Sequence, residues 1–287
     1  MRKLKQITAD LKAATFDKYE DLQGQIWQLI CYPPKMPARQ QQEQLLNEAE
    51  RFTLTVTDRY FANRELSFNV FKWGAGKNKV LLTHGWGSKA ADFSELITSL
   101  RQLNDVEVMA FDAPGNGSSE GELSNLLLFA QAVESLIGSF GAPKVLIGHS
   151  LGAIANIMAL NATGLVPALL VSIAPLIRLK ENFEASMQSA GLSESLQQAF
   201  LADFEARFGT PASYFSMDNL YRFGAQMNHW ILCDRYDKIS PYPYLQEFLK
   251  NHPAIHVKYY DEAGHEKIIR LPALHHDLLQ MAEAAMK

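Results

Sequence analysis

Cysteine is scarce: Cys31 and Cys233 are the two in 287 residues. Two thiols cannot build a disulfide framework, and their spacing is not that of a metal site. The expectation is two reduced thiols packed against apolar neighbours, with one intramolecular disulfide left open. No apolar run reaches the ~20 residues a membrane span needs; the most apolar stretch, 165–177, is much shorter. The positive start Met1-Arg2-Lys3-Leu4-Lys5-Gln6 leads into Ala9-Asp10-Leu11-Lys12, not into an apolar signal core. Basic excess is also missing. Lys and Arg total 27 against 31 Asp and Glu, a formal net charge of −4, so nothing argues for nucleic acid or an anionic membrane surface. Neither G-x-x-x-x-G-K-[ST] nor G-x-G-x-x-G occurs, which removes the common nucleotide cradles. The resulting expectations are no nucleic-acid partner, no stable membrane association, no cofactor, no metal, a cytoplasmic location, and a monomer or homodimer.

What is present is a globular composition, 47% apolar and 20% charged. A chain of this size buries roughly 75% of its unfolded surface, enough for an ordinary core. Residues 1–50 are polar and helix-favouring, broken by Cys31-Tyr32-Pro33-Pro34 and the glutamine-rich run 40–44; they are expected to form an N-terminal helical extension. Phe52–Val56 and Leu66–Phe71 alternate apolar and polar residues, as two strands of an antiparallel hairpin would. Beyond them the pattern changes. The runs 79–83, 106–111, 144–147 and 168–174 are apolar without alternation, as strands covered on both faces are. Helical segments fall between them, at about 88–103, 122–140 and 151–162. Strands alternating with helices define an α/β fold with a parallel sheet between helical layers. Residues 178–228 interrupt the alternation with helical, aromatic-rich sequence, and it resumes with strands at 230–233 and 255–260 around a helix at 242–251. The expected division is a core of 51–177 and 229–287 with a helical cap, 178–228, inserted into it.

Gly148-His149-Ser150-Leu151-Gly152 fits G-x-S-x-G between a buried strand and a helix. On such a tight turn the glycines allow close backbone approach, and the serine hydroxyl is pushed out at the strand's C-terminal end. Ser150 is therefore the candidate nucleophile, and a hydroxyl needs a base to take its proton. His265, on the loop after the last strand, is the candidate base. Of the other histidines, His149 is part of the turn itself, His84 lies in another loop, and the rest lie within or beside predicted elements. An acid must hold the imidazole in the right tautomer. Asp237 is the expected acid because it lies further into the loop after 230–233; Asp234, at the strand's edge, is the alternative and reads better as a turn cap. The oxyanion needs two N–H donors, expected from the backbones of Leu151, which follows the nucleophile, and Trp86 in the loop His84-Gly85-Trp86-Gly87. The glycine-rich stretch 112–119 reads as a rigid turn beside the site, with Asp112 in a structural hydrogen-bonding role.

With His84–Gly87, Asp112–Ser118, Gly148–Gly152, Asp237 and Gly264-His265 in this order, the chain resembles the α/β-hydrolase superfamily over about 52–287. The resemblance implies a three-layer fold with an eight-stranded, mostly parallel sheet, its second strand antiparallel, and a cap after the sixth strand. A serine at the elbow is unlike the aspartate of haloalkane dehalogenases and epoxide hydrolases. The single glycine before Trp86 is unlike the three-glycine loop of hormone-sensitive-lipase-like esterases. The activity implied is cleavage of a carboxylic ester or thioester of a small to medium, largely apolar molecule. Two alternatives stand beside it: a proline-iminopeptidase-like peptidase or amidase, and a non-turnover binding homologue.

Overall fold

A computed structural model of the chain describes residues 2–13 and 19–287. In chain order the elements are α1 (Arg2–Ala13), α2 (Tyr19–Cys31), α3 (Gln40–Asn47), β1 (Glu50–Asp58), β2 (Arg64–Trp73), β3 (Asn78–Thr83), α4 (Ser94–Leu100), β4 (Val106–Phe111), α5 (Leu126–Phe140), β5 (Val145–His149), α6 (Leu151–Thr163) and β6 (Leu169–Ile173). There follow α7 (Leu179–Ser189), α8 (Glu194–Phe208), α9 (Met217–Leu220), β7 (His229–Cys233), α10 (Tyr242–Asn251), β8 (His256–Tyr259), α11 (Gly264–Lys267) and α12 (Pro272–Met286). The eight strands form one sheet in the order β1-β2-β4-β3-β5-β6-β7-β8. β2 runs antiparallel to both its neighbours, and every other pairing is parallel.

The sequence pattern and the sheet agree strand by strand. Every residue of β4, β5 and β6 is buried, because helices cover both faces of the sheet. On one face Leu66, Phe68 and Val70 of β2 meet Phe111, Phe129 and Ile154, and α5 and α6 close the layer. On the other, Phe71 and Trp73 meet Phe93, Leu96, Leu274 and Leu278 from the α4 and α12 side. The β1–β2 connection is fixed by Asp58, whose carboxylate accepts the N–H groups of Tyr60, Phe61 and Ala62.

Local differences from the sequence pattern have local causes. The helix expected from 122 begins at Leu126, because the Asn125 side chain caps it by accepting the Leu128 N–H at 3.1 Å. The helix expected over 88–103 is a 3₁₀ turn, Ala90–Phe93, followed by the shorter α4, since the Ala90 N–H is taken at 2.8 Å by Asp112 from a neighbouring loop. The cysteines are both buried and free. Among the described residues no helix is long and apolar enough to cross a membrane.

Two segments outside the alternating strands and helices pack against each other. Residues between β6 and β7 fold into α7, α8 and α9 with one isolated bridge, Arg178 to Ser216. The N-terminal α2 packs directly on α7 and α8.

Candidate active site

β5 ends at His149, and the chain turns sharply into α6 at Ser150. Ser150 has φ 53° and ψ −119°, a backbone conformation that L residues rarely adopt and that costs of order 1–3 kcal/mol. Several main-chain bonds hold it there: Ser150 N–H donates to Ile173 O at 3.0 Å, and Ser150 O accepts from Ala153 and Leu176. The flanking glycines are sterically required. A Cβ at Gly148 would stand 2.7 Å from the Ala153 backbone, and one at Gly152 would stand 2.4 Å from Thr83 O. The second contact shows how closely the start of α6 lies against the loop after β3.

The three side chains nominated from the sequence meet here from three different connections. Ser150 Oγ lies 2.8 Å from His265 Nε2, and His265 Nδ1 lies 2.7 Å from Asp237 Oδ2. The Asp237 carboxylate is 2% exposed and accepts the N–H groups of Ile239 and Ser240 through Oδ1. Burial alone would raise its pKa, but the hydrogen bond and charge of His265, with those two N–H donors, hold it below the usual carboxylate range. A carboxylate can only accept, so Nδ1 of His265 carries the proton and Nε2 is left to accept from the Ser150 hydroxyl. Asp234 sits apart. Its Oδ1 accepts the Tyr236 N–H, and its Oδ2 accepts the Gly264 N–H at 2.7 Å. It caps its own turn and tethers the loop that carries His265.

The two N–H groups expected to face the oxyanion are free of protein acceptors among the described residues. Leu151 opens α6, so its N–H belongs to the unpaired first turn of a helix whose dipole favours negative charge there. Trp86 lies in the loop after β3. The next N–H in that loop, Gly87, is already taken at 3.1 Å by Asn116 Oδ1. Asn116 is buried and also donates to Pro114 O and Ser124 Oγ, so the glycine-rich 112–119 turn braces the loop after β3. Asp112 has the structural role read from the sequence, accepting Ala90 N–H with one oxygen and Ser118 N–H and Oγ–H with the other.

Sequence reasoning missed His149. Its Nε2 lies 2.9 Å from the carbonyl oxygen of His265, so Nε2–H donates and clamps the loop that carries His265 to the Ser150 turn. The two imidazoles stand 5.1 Å apart. Burial, aided by the nearby His265, lowers the pKa of His149 to about 3, and burial does the same for His229. Both therefore stay neutral in the folded protein while the unfolded chain protonates them near the ordinary 6.5. The unfolded state then binds more protons below pH 6.5, so stability is full above that value and falls as the pH drops toward 3. Each group contributes about 1.4 kcal/mol per pH unit. Urea unfolding is expected to show a loss on the order of 4 kcal/mol between pH 7 and pH 5; equal stability at the two values would contradict the buried, neutral state of these rings.

Ser150 and His265 open onto a cavity of about 990 Å³, at the upper end of the roughly 300–1,000 Å³ typical of small-molecule sites. The aromatic residues between β6 and β7 divide into two groups. Phe183, Phe204, Phe208 and Phe215 lie on the cavity wall. Tyr221 instead packs on His229, Phe248 and His252, with Phe223 beside it; these two and the buried Phe200 lie off the cavity. Among the described residues no cluster of three His, Cys, Asp or Glu side chains has a metal-holding arrangement.

The sheet order, the antiparallel second strand and the strand–serine–helix turn define the fold class, and a family comparison agrees. The chain belongs to the alpha/beta hydrolase family, whose model matches residues 80–284. Among curated proteins it is 30% identical over 111 residues to Protein phosphatase methylesterase 1 of Mus musculus; the match covers 36% of this chain and 28% of that protein's length. Among solved structures it is similar to an esterase of Pyrococcus furiosus, with a TM-score of 0.60 at 20% identity, covering 90% of this chain and 97% of that one. It is also similar to a thermophilic esterase from Thermogutta terrifontis, with a TM-score of 0.54 at 16% identity, covering 82% and 100%.

Proposed function

We propose that the protein is a serine hydrolase that cleaves a carboxylic ester or thioester of a small to medium, largely apolar substrate through an acyl-enzyme on Ser150. The observation that carries this reading is the unbroken relay Ser150 Oγ–His265 Nε2, 2.8 Å, and His265 Nδ1–Asp237 Oδ2, 2.7 Å, at the edge of a large cavity. In the proposed reaction His265 takes the hydroxyl proton as Ser150 Oγ attacks the acyl carbon, and Asp237 stabilises the imidazolium. The N–H groups of Trp86 and Leu151 receive the charge that develops on the acyl oxygen. His265 then gives its proton to the departing alcohol or thiol. Water, activated by the same imidazole, releases the acid and restores Ser150. The names of the esterase relatives are consistent with this chemistry. No cofactor or metal enters the scheme.

We further propose that residues 178–228 act as a cap and that their cavity-facing phenylalanines select the acyl group. Each buried CH₂ contributes up to about 0.8 kcal/mol. For p-nitrophenyl esters kcat/KM should therefore climb about three- to fourfold per carbon over the first few carbons and decline once the space is filled. A panel from acetate to laurate, run with thioester and aminoacyl-amide counterparts, tests both the reaction class and the preference. Turnover of the esters or thioesters with a short-to-medium optimum is the expected result. Turnover confined to aminoacyl amides would reassign the protein as a peptidase, and a profile flat with chain length would remove the acyl-selection role.

A further inference from the structure

Residues 1–39 lie outside the stretch matched by the family model, which begins at residue 80, and sequence alone gave them no task. The packing of α2 and of the segment that follows it supplies one. Along α2, Leu22, Ile26, Trp27, Ile30 and Cys31 are all buried, and the joint is centred on Trp27. Its indole stands 4.7 Å from the ring of Phe200, 6.1 Å from Phe204 and 6.0 Å from Phe208, all three on α8. It also meets Phe61 of the β1–β2 turn edge-on at 5.5 Å. Its Nε1–H donates to Asp203 Oδ2 at 2.5 Å, a contact spanning 176 positions, and the Arg207 guanidinium lies 4.9 Å above the ring. Arg207 in turn donates to Tyr60 O at 2.9 Å. One side chain thus ties the N-terminal helix to the insert and to the hairpin turn.

Past α2, Pro34, Met36 and Pro37 line the cavity. Cys31 O accepts the Ser124 N–H at 2.8 Å, and Lys35 Nζ donates to Ser119 O at 2.8 Å. The Pro34 ring lies against Gly87 of the oxyanion loop. The cavity onto which Ser150 and His265 open is therefore lined from two segments of the chain: Phe183, Phe204 and Phe208 between β6 and β7, and Ile30 and Pro34 from the N-terminal segment.

We infer that the N-terminal segment is the second half of the cap. Ile30 is a specificity-determining residue that limits acyl length, and Trp27 is a positioning residue that locks the two halves together. This rests on the ester-hydrolase reading for its kinetic consequences but not for the wall itself. If Ile30 borders the acyl space, a larger side chain there removes room for two or more methylenes. Ile30→Trp should then lower the octanoate-to-acetate ratio of kcat/KM about tenfold or more. Trp27→Ala should lower the same ratio by raising KM for the longer ester, with Trp27→Phe recovering most of it because the ring stacking remains.

The test combines these ratios with calorimetric titration of octanoate into wild type and Ile30→Trp, which reads the wall without any turnover. Binding by wild type that weakens at least tenfold in Ile30→Trp supports the inference. If that is found while no ester is hydrolysed, the wall stands and the hydrolase reading falls. If wild type hydrolyses the esters and Ile30→Trp keeps the wild-type ratio, the wall falls and the hydrolase reading stands. Failure of octanoate to bind wild type also overturns the inference. Should Trp27→Ala not fold, the Ile30→Trp and Trp27→Phe measurements decide the matter.

Discussion

Ser150→Ala is expected to lower kcat by about 10⁴- to 10⁶-fold, the range seen when a triad loses its nucleophile. The expectation follows from the geometry at one atom. Among the described residues Ser150 Oγ has a single side-chain partner, His265 Nε2 at 2.8 Å, while the backbone at 150 is held by main-chain bonds to Ile173, Ala153 and Leu176. Removing Oγ therefore deletes the proposed attacking atom and leaves the turn, the cavity and the N–H groups of Trp86 and Leu151 in place. Substrate affinity and urea stability should change little, so the loss should fall on kcat. A variant that kept activity within about tenfold of wild type would place the nucleophile elsewhere.

Asp237→Asn is expected to cost about 10³- to 10⁴-fold in kcat, because the substitution changes which imidazole nitrogen carries the proton. Asp237 Oδ2 faces Nδ1 at 2.7 Å and its other oxygen is occupied by the N–H groups of Ile239 and Ser240. In the asparagine variant those two donors retain the amide oxygen, which turns the NH₂ toward His265. An NH₂ there favours the tautomer protonated at Nε2, which points a hydrogen at Ser150 where a lone pair is needed. Asp234→Asn leaves the Asp237–His265 contact untouched and disturbs only the tether to the Gly264 N–H, so about tenfold or less is expected. Measuring kcat for both variants against one ester decides between them: the opposite ranking would make Asp234 the acid.

The parts of this structure that were legible in the sequence share a physical signature that is local. The runs at 79–83, 106–111 and 144–147 lack alternation because β3, β4 and β5 are covered on both faces, and a two-sided environment leaves that trace in any sequence. The Gly148–Gly152 turn was legible because close approach permits no side chain at its ends. Asp237 and His265 could be nominated from their places after the last two strands. What was not legible depends on contacts between distant positions. Nothing near Trp27 in sequence signals Asp203, and nothing near His149 signals a carbonyl 116 positions away. Asn116 sits in a stretch recognisable as a rigid turn, yet its bond to Gly87 appears only once the β3 and β4 loops are side by side. The aromatic wealth of 178–228 was visible, but not its division: Phe204 and Phe208 face the cavity and Trp27, whereas Tyr221 and Phe223 pack toward β7 and α10.

On the proposed function, one serine among all those in the chain is activated by an imidazole at its side. Covalent labelling reads that property without knowledge of the natural substrate. A fluorophosphonate probe added to the purified protein, followed by intact-mass measurement and peptide mapping, is predicted to give a single adduct located on Ser150. The adduct should be absent from Ser150→Ala and slowed by several orders of magnitude in His265→Ala, where the base is gone. An adduct on a different serine, or unlabelled wild-type protein under conditions that label a known serine esterase, would contradict it.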